Sequence, residues 1–359
     1  MVHAGAVPAD DFSASAIRPA RLIPRDLMKR PWRVSVLAAI LTGCVSAQQP
    51  AAGGPATVRA TQISTFRFGS SQTKFGELEF LGGLRLVSSN DLFGAASAIR
   101  FRADHRHFVS VLDTGHWWTG AIERDEDGRL KGITDATITP MIDCFGVTHE
   151  GKGAMDAEGL AFRGDSVLVS FEEDHRVDVY PDPGFETAAP TGSIPILMRR
   201  SELRGDQSLE ALMIAPAESP LAGAAVLVTE RSLDSDGNML AAVLDGPLKG
   251  RFTVRHYDDF DVSDGVFLPN GDLLLLERRF DLAHGIGMRL VRVSGRDIKP
   301  GAVVDGRIIF EANADYQIDN MEGIDAFRAE DGTIHLILVS DDNHSILQRS
   351  LMLEFRLTE

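Results

Sequence analysis

The sequence predicts an all-β chain built as a β-propeller of five or six blades of antiparallel strands. Three observations carry that prediction. Short apolar runs of strand length recur with Gly-Asp or Asp-Gly turns between them, as in "GDSVLVSF", "AAVLVTE", "GDLLLLER" and "TIHLILVS". Helical periodicity is scarce, "ILMRRSELRG" (196–205) being the short exception. An acid-bearing first strand leading to an acid-ended second strand recurs at spacings of 52, 54 and 58 residues, counted along Glu158, Glu210, Asp264 and Glu322. A repeat of about 40–60 residues, each a small antiparallel sheet, is the signature of a propeller.

Residues 1–47 read as an N-terminal extension plus an export signal. "MKRPWRVSVLAAILTGC" opens at Met28 with Lys29, Arg30 and Arg33, then runs apolar from Val34 to Leu41. Met28 is therefore the expected start. "LTGC" (41–44) looks like a lipobox, in which Cys44 becomes the lipidated N-terminus; "VSA" (45–47) fits ordinary signal cleavage instead. Either exit predicts an exported bacterial protein, periplasmic or anchored as a lipoprotein. Residues 48–59 (QQPAAGGPATVR) read as a flexible tether and residues 60–359 as the propeller domain.

The blades follow in order. Phe93–Ile99 leads to "FVSVLDTGHW" and Asp113. Asp156-Ala157-Glu158-Gly159 leads to "SVLVSFEED" and Glu172, and Ser208-Leu209-Glu210 leads to "AAVLVTER" and Glu230. Ser263-Asp264-Gly265 leads to "DLLLLERR" and Glu277, and Asn320-Met321-Glu322-Gly323 leads to "LILVSDDN" and Asp341. The C-terminal "LMLEFRL" is expected to pair with strands from residues 60–88, leaving no open edge.

Inner strands of a propeller line its central channel. Glu158, Glu210, Asp264 and Glu322 are thus expected to face one axis, with Asp113, Glu172, Glu230, Glu277 and Asp341 just outside it. So many carboxylates in one funnel repel unless compensated. Hard divalent cations with oxygen ligands fit, calcium first and magnesium or manganese next. Arg231, Arg278 and Arg279 each follow an acid, or an acid and an arginine, and could pair with carboxylates or grip an anionic substrate. His116, His175 and His344 sit just after second-strand acids, and Trp117 and Trp118 are candidates for a substrate wall or for aromatic packing. The bland alternative is turn chemistry, since Asp and Gly close many β-turns.

Composition narrows the rest. The chain has 359 residues with 36 Lys and Arg against 52 Asp and Glu, a net charge of −16. That balance argues against a nucleic-acid partner. Of two cysteines, Cys44 belongs to the signal and Cys144 is left alone, so neither a disulfide nor a cysteine-based zinc site is expected. No segment reaches the roughly 20 apolar residues of a membrane-spanning helix. Walker, dinucleotide, HExxH and G-x-S-x-G motifs are all missing from the sequence.

The stretches "FGAASAIRF…FVSVLDTGHW", "DAEGLAF…LVSFE", "SLEALMI…LVTER", "VSDGVFLPNGDLLLLERRF" and "NMEGIDAF…LILVSDDNHSILQRSLMLEF" resemble the bacterial phytase-like family, the "esterase-like activity of phytase" proteins. The resemblance spans about residues 80–357, departing at Ala96, where the first acid is missing. It implies an exported propeller acting on phosphoesters or esters, by kinship to calcium-dependent propeller phytases. The leading expectation is a metal-dependent phosphoester hydrolase. Glu158, Glu210, Asp264, Glu322, Glu172, Glu230, Glu277 and Asp341 would hold metal. Glu322, Arg231, Arg278 and His344 would be catalytic, and Arg279 and His116 would bind the small-molecule substrate. The rivals are a lactone or carboxylic ester hydrolase on the same fold and a non-enzymatic envelope binding module. Oligomeric state is left open.

Overall fold

A computed structural model describes residues 53–149, 151–281 and 285–358, all within the unit Gln49–Glu359. The export signal, Cys44 and the first residues of the tether lie outside the described residues. The described part of the tether is not free chain. Gly54–Pro55 pairs with Thr137 and Ile138, and Val58–Ile63 lies along Leu78–Ser88. A Gly/Ala/Pro-rich stretch shows no strand period, but its backbone can still cap the edge of a sheet that needs partners.

Among the described residues the strands form five sheets, one per blade. Blade 1 runs outward through Ala96–Phe101, His107–Leu112, His116–Arg124 and Leu130–Pro140. Blade 2 comprises Ala157–Phe162, Ser166–Phe171, Arg176–Pro181 and Gly192–Ile194. Blade 3 comprises Ala211–Ile214, Ala225–Leu233, Met239–Val243 and Gly250–Val254, with Val303–Val304 added in parallel. Blade 4 comprises Asp261–Phe267, Leu273–Asp281, Gly285–Val293 and Arg307–Asn313. Blade 5 begins with Asn320–Arg328, Ile334–Asp341 and Ser350–Leu357, and the last of these pairs antiparallel with Leu78–Ser88. One sheet thus joins the two ends of the domain. The helix-like 196–205 run contains only a single 3-10 turn, Arg200–Glu202.

The strands are apolar on both faces because each blade is covered twice. Ser166–Phe171 is buried from Val167 through Phe171, where a half-exposed strand would alternate. Five apolar clusters follow, each between consecutive blades. Trp117 fills the cluster between blades 1 and 2, edge-on to Tyr180, and Trp118 fills the one between blades 5 and 1, edge-on to Phe108. Neighbouring strand residues point to opposite faces, so adjacent tryptophans serve different cores and neither forms a rim wall.

The inner strands neighbour one another in the order blade 1, 2, 3, 4, 5 and again 1. They come very close. A methyl group on Gly159 would lie 2.4 Å from the Glu210 carbonyl oxygen, and one on Gly323 would lie 3.1 Å from the Ala98 Cα. That is why glycine follows the acid in blades 2 and 5. Elsewhere, Asp and Gly do make ordinary turns. The Asp234 carboxylate accepts the amides of Asp236 and Asn238 before Gly237 closes the turn, and Asp125 accepts those of Asp127 and Arg129.

Candidate functional site

The inner strands of blades 1, 2, 4 and 5 carry a local irregularity near one end of the channel. Ala96 and Ala98 face Leu112 and Val111, Met321 and Gly323 face Ser340 and Val339, and Val262 and Asp264 face Glu277 and Leu276. The extra residue of such a bulge is left out of the ladder and re-aimed. In blades 1, 2, 4 and 5 it is Ser97, Glu158, Ser263 and Glu322. Glu210 is the blade 3 counterpart, because the Glu230 amide donates to the Ser208 carbonyl as the Glu172 amide does to Asp156. The same register aligns the second-strand residues Asp113, Glu172, Glu230, Arg278 and Asp341.

Blade 4 is therefore one residue out of step with its sequence motif. Asp264 and Glu277 fall beside the funnel positions, and a one-residue slip sends a side chain to the other face. Asp264 is fully buried, bound on both oxygens by the Arg100 guanidinium at 2.8 Å. Its carboxylate also accepts the amides of Ile324 at 2.9 Å and Gly265 at 2.7 Å. Arg100 spends its remaining donors on the carbonyls of Ile99, Leu212, Gly265 and Ile324, reaching the inner strands of blades 1, 3, 4 and 5. Glu277 pairs with Arg289 inside blade 4. Neither acid joins the metal candidates, so the expected ring is incomplete.

The other expected residues divide in the same way. Arg231 reaches Asp261 and Asp259 at 3.3 and 3.4 Å, outside the funnel. Arg279 stacks over Phe260, 4.5 Å from the ring centre. His116 is buried with its Nδ1 2.9 Å from the Thr114 carbonyl oxygen, and burial pushes its pKa down. His175 is half-buried in the turn after Glu172, and His344 is exposed on the loop after Asp341. None of these five lines the funnel, although the Arg231 charge acts on Glu230 and the His344 charge on Asp113.

Glu158, Glu210, Glu322, Glu172, Glu230 and Asp341 do converge, together with Asp113 and Asp156, on a cavity of about 980 Å³. Asp156, Glu158 and Glu172 each present an oxygen within 4.8 Å of the others, a set that could hold a metal ion. Glu172 is held in place by the backbone amides of Gln207 (2.9 Å) and Ser208. One oxygen each of Asp113 and Asp156 is buried with no hydrogen-bond partner, although both side chains line the cavity. Two cations sit among these acids. Lys152 pairs with Asp113, and Arg278 bridges Glu322 and Glu230 at 3.0 Å each. Asp156 lies two residues before the bulge, where blades 3, 4 and 5 carry Ser208, Asp261 and Asn320. That polar recurrence was a signal available in the sequence; Lys152, on an unrepeated loop, had none.

Burial and like charge set the electrostatics. Burial first, then the Asp156 and Glu172 charges, push Glu158 well above the usual carboxylate range, and burial followed by the Glu158 charge does the same to Glu210. Burial raises Asp156 to about 6, Glu230 and Asp341 to about 7, and Glu322 to about 8, with Arg278 opposing the rise at Glu230 and Glu322. Carboxylates whose folded values exceed their unfolded ones contribute stability below about pH 4 that is lost as pH rises through the folded values. The chelator-treated protein is therefore expected to melt at progressively lower temperature between about pH 5 and pH 8, and an added divalent cation to flatten that slope. Thermal melts across that range check it; a melting temperature that climbs with pH under chelation contradicts it.

The family model described as "Phytase-like: Esterase-like activity of phytase" matches residues 91–344. No curated protein matches the chain. Among solved structures, a glucose dehydrogenase is similar at 9% identity and a TM-score of 0.40, over 77% of this chain and 98% of that one. A tail fibre of a Staphylococcus aureus phage is similar at 11% identity and 0.42, over 82% of this chain and 55% of that one. A hypothetical protein from Leishmania major is similar at 7% and 0.40, over 76% and 87%. Likeness at this level carries no argument about activity.

Proposed function

The chain belongs to the phytase-like family, and from that premise we propose that its acidic funnel holds a divalent cation and hydrolyses a phosphoester. The observation that carries the proposal is the Asp156, Glu158 and Glu172 set beside a buried, unpartnered carboxylate oxygen. Its ligand atoms spread no more than 4.8 Å, which one ion with oxygen contacts of about 2.4 Å spans. All-oxygen donors favour a hard ion, calcium first. Such an ion would draw the substrate phosphate into a site otherwise hostile to anions and supply Lewis-acid polarisation there.

The protein's own groups supply the rest. The Glu172 carboxylate is fixed by two backbone amides, so it can ligate without reorganising. Arg278, held charged by Glu322 and Glu230 against the opposing effect of burial, contributes a fixed positive charge toward the phosphate. Glu322, raised by burial to about 8 against the opposing Arg278 charge, accepts from Arg278 and Asn320 on its two oxygens and so orients that guanidinium. The pairing of Ser350–Leu357 with Leu78–Ser88 acts in this account as the latch that keeps the ring closed around the funnel.

Export by residues 28–47, with lipid attachment at Cys44, remains part of the proposal on the strength of that stretch of sequence. Among the described residues, no helix is long and apolar enough to cross a membrane. The test of the function is turnover of simple phosphomonoesters, carboxylic esters and lactones with calcium, after chelation, and after calcium is restored. Phosphate release that disappears and returns supports the reading. Cleavage of the carboxylic esters or lactones alone moves the reaction to that class. No turnover of any substrate leaves a binding module.

A further inference from the structure

The funnel is not acidic throughout. Blades 1, 2, 3 and 5 present carboxylates, and Phe68, Phe280 and Leu347 add an apolar part to the same wall. These three are 52%, 74% and 88% exposed, with Ile286 and Tyr316 also on the cavity wall. They come from three separate segments: the loop after Val58–Ile63, the end of Leu273–Asp281 and the loop after Ile334–Asp341. Large apolar side chains converging from separate loops on one cavity mark a surface built to be covered.

The charge of the cavity says what can cover it. The cations lining it among the described residues are Lys152, Arg278 and Arg349, and each is already engaged. Lys152 pairs with Asp113 and Arg278 with Glu230 and Glu322. Arg349 binds Asp319 at 3.0 Å, the Gln317 side-chain oxygen at 2.8 Å and the Ile318 carbonyl oxygen at 2.6 Å. A substrate with many phosphates would meet an excess of carboxylates and no free cation to offset them. A single phosphate bridged by one metal ion meets neither problem, and its alcohol portion then extends along the apolar part of the wall.

We propose that the funnel is selective for phosphomonoesters with an apolar aryl or alkyl alcohol, and disfavours polyphosphorylated polyols. This rests on the cation-dependent phosphoester reading above and adds the substrate class. Burying even part of a naphthyl group on this wall is worth at least about a tenfold gain in affinity over a glycerol group.

The experiment is calorimetric binding in the presence of calcium, with 1-naphthyl phosphate, glycerol 2-phosphate and inositol hexakisphosphate as probes, followed by turnover of the same three. Naphthyl phosphate is expected to bind at least about tenfold more tightly than either other probe. In the Phe280→Ser, Leu347→Ser double variant, whose changes fall on exposed side chains, that preference is expected to shrink to about twofold. Equal affinities, a preference for the polyphosphate, a preference the double variant leaves intact, or no binding of either monoester would each overturn the proposal. Binding is read separately from chemistry. A naphthyl preference without hydrolysis removes the hydrolase reading and leaves the selectivity standing. Hydrolysis with no preference does the reverse.

Discussion

Glu158→Gln is expected to lower phosphomonoester turnover at least about a hundredfold while making the metal-free protein more stable. The two effects share one cause. Glu158 lies beside Asp156 and Glu172, and burial together with those charges makes its ionised form costly. Removing the ionisable group relieves the metal-free funnel increasingly as pH rises and takes away a ligand. Calcium is expected to raise the melting temperature of the wild type and not that of the variant. A variant that is less stable without metal, or as active as wild type with it, contradicts the assignment. Sites whose charges are kept for function commonly cost stability in this way.

Arg100→Met should cost about 3–5 kcal/mol of unfolding free energy, measured by urea denaturation. Arg100 and Asp264 are almost fully buried, and the change strands the Asp264 carboxylate and frees four backbone carbonyls. Burial already pushes Asp264 above the usual carboxylate range despite Arg100, so without its partner the charge is untenable. The double variant Arg100→Met, Asp264→Leu is expected to recover most of the loss, since an apolar pair replaces a buried ion pair with little penalty. A loss below about 1 kcal/mol in the single variant would mean that Arg100 does not stitch the inner strands together.

The parts of the molecule that repeat were legible in the sequence. Strand-length apolar runs and the 52- to 58-residue spacing of first-strand acids predicted blades, and Glu158, Glu210 and Glu322 share one cavity with Glu172, Glu230 and Asp341. Blade 4 defeated the pattern because "SDG" looks like "AEG" while its bulge falls one residue earlier, on Ser263. Register is a matter of backbone pairing, and a motif match at the wrong offset exchanges lumen for core. The same slip hid the fact that Arg278 occupies the position of an acid.

Arg100 sat inside the run "ASAIRF", whose six residues are all buried. A charged side chain in such a strand needs a buried partner, but no spacing rule names Asp264, 164 residues away. Arg231, Arg279 and the histidines fall off the cavity lining for a simpler reason, while Arg278 does line it. Strand alternation carries Arg231 and Arg279 to the other side, and His344 falls in an exposed turn.

The most direct test is calorimetric titration of calcium into chelator-stripped protein at neutral pH, wild type beside Glu158→Gln. The account predicts saturable binding in the wild type with a dissociation constant of about 1–10 μM or tighter, lost or weakened at least about a hundredfold in the variant. Absence of divalent-ion binding in the wild type, or binding that the variant leaves unchanged, would contradict it.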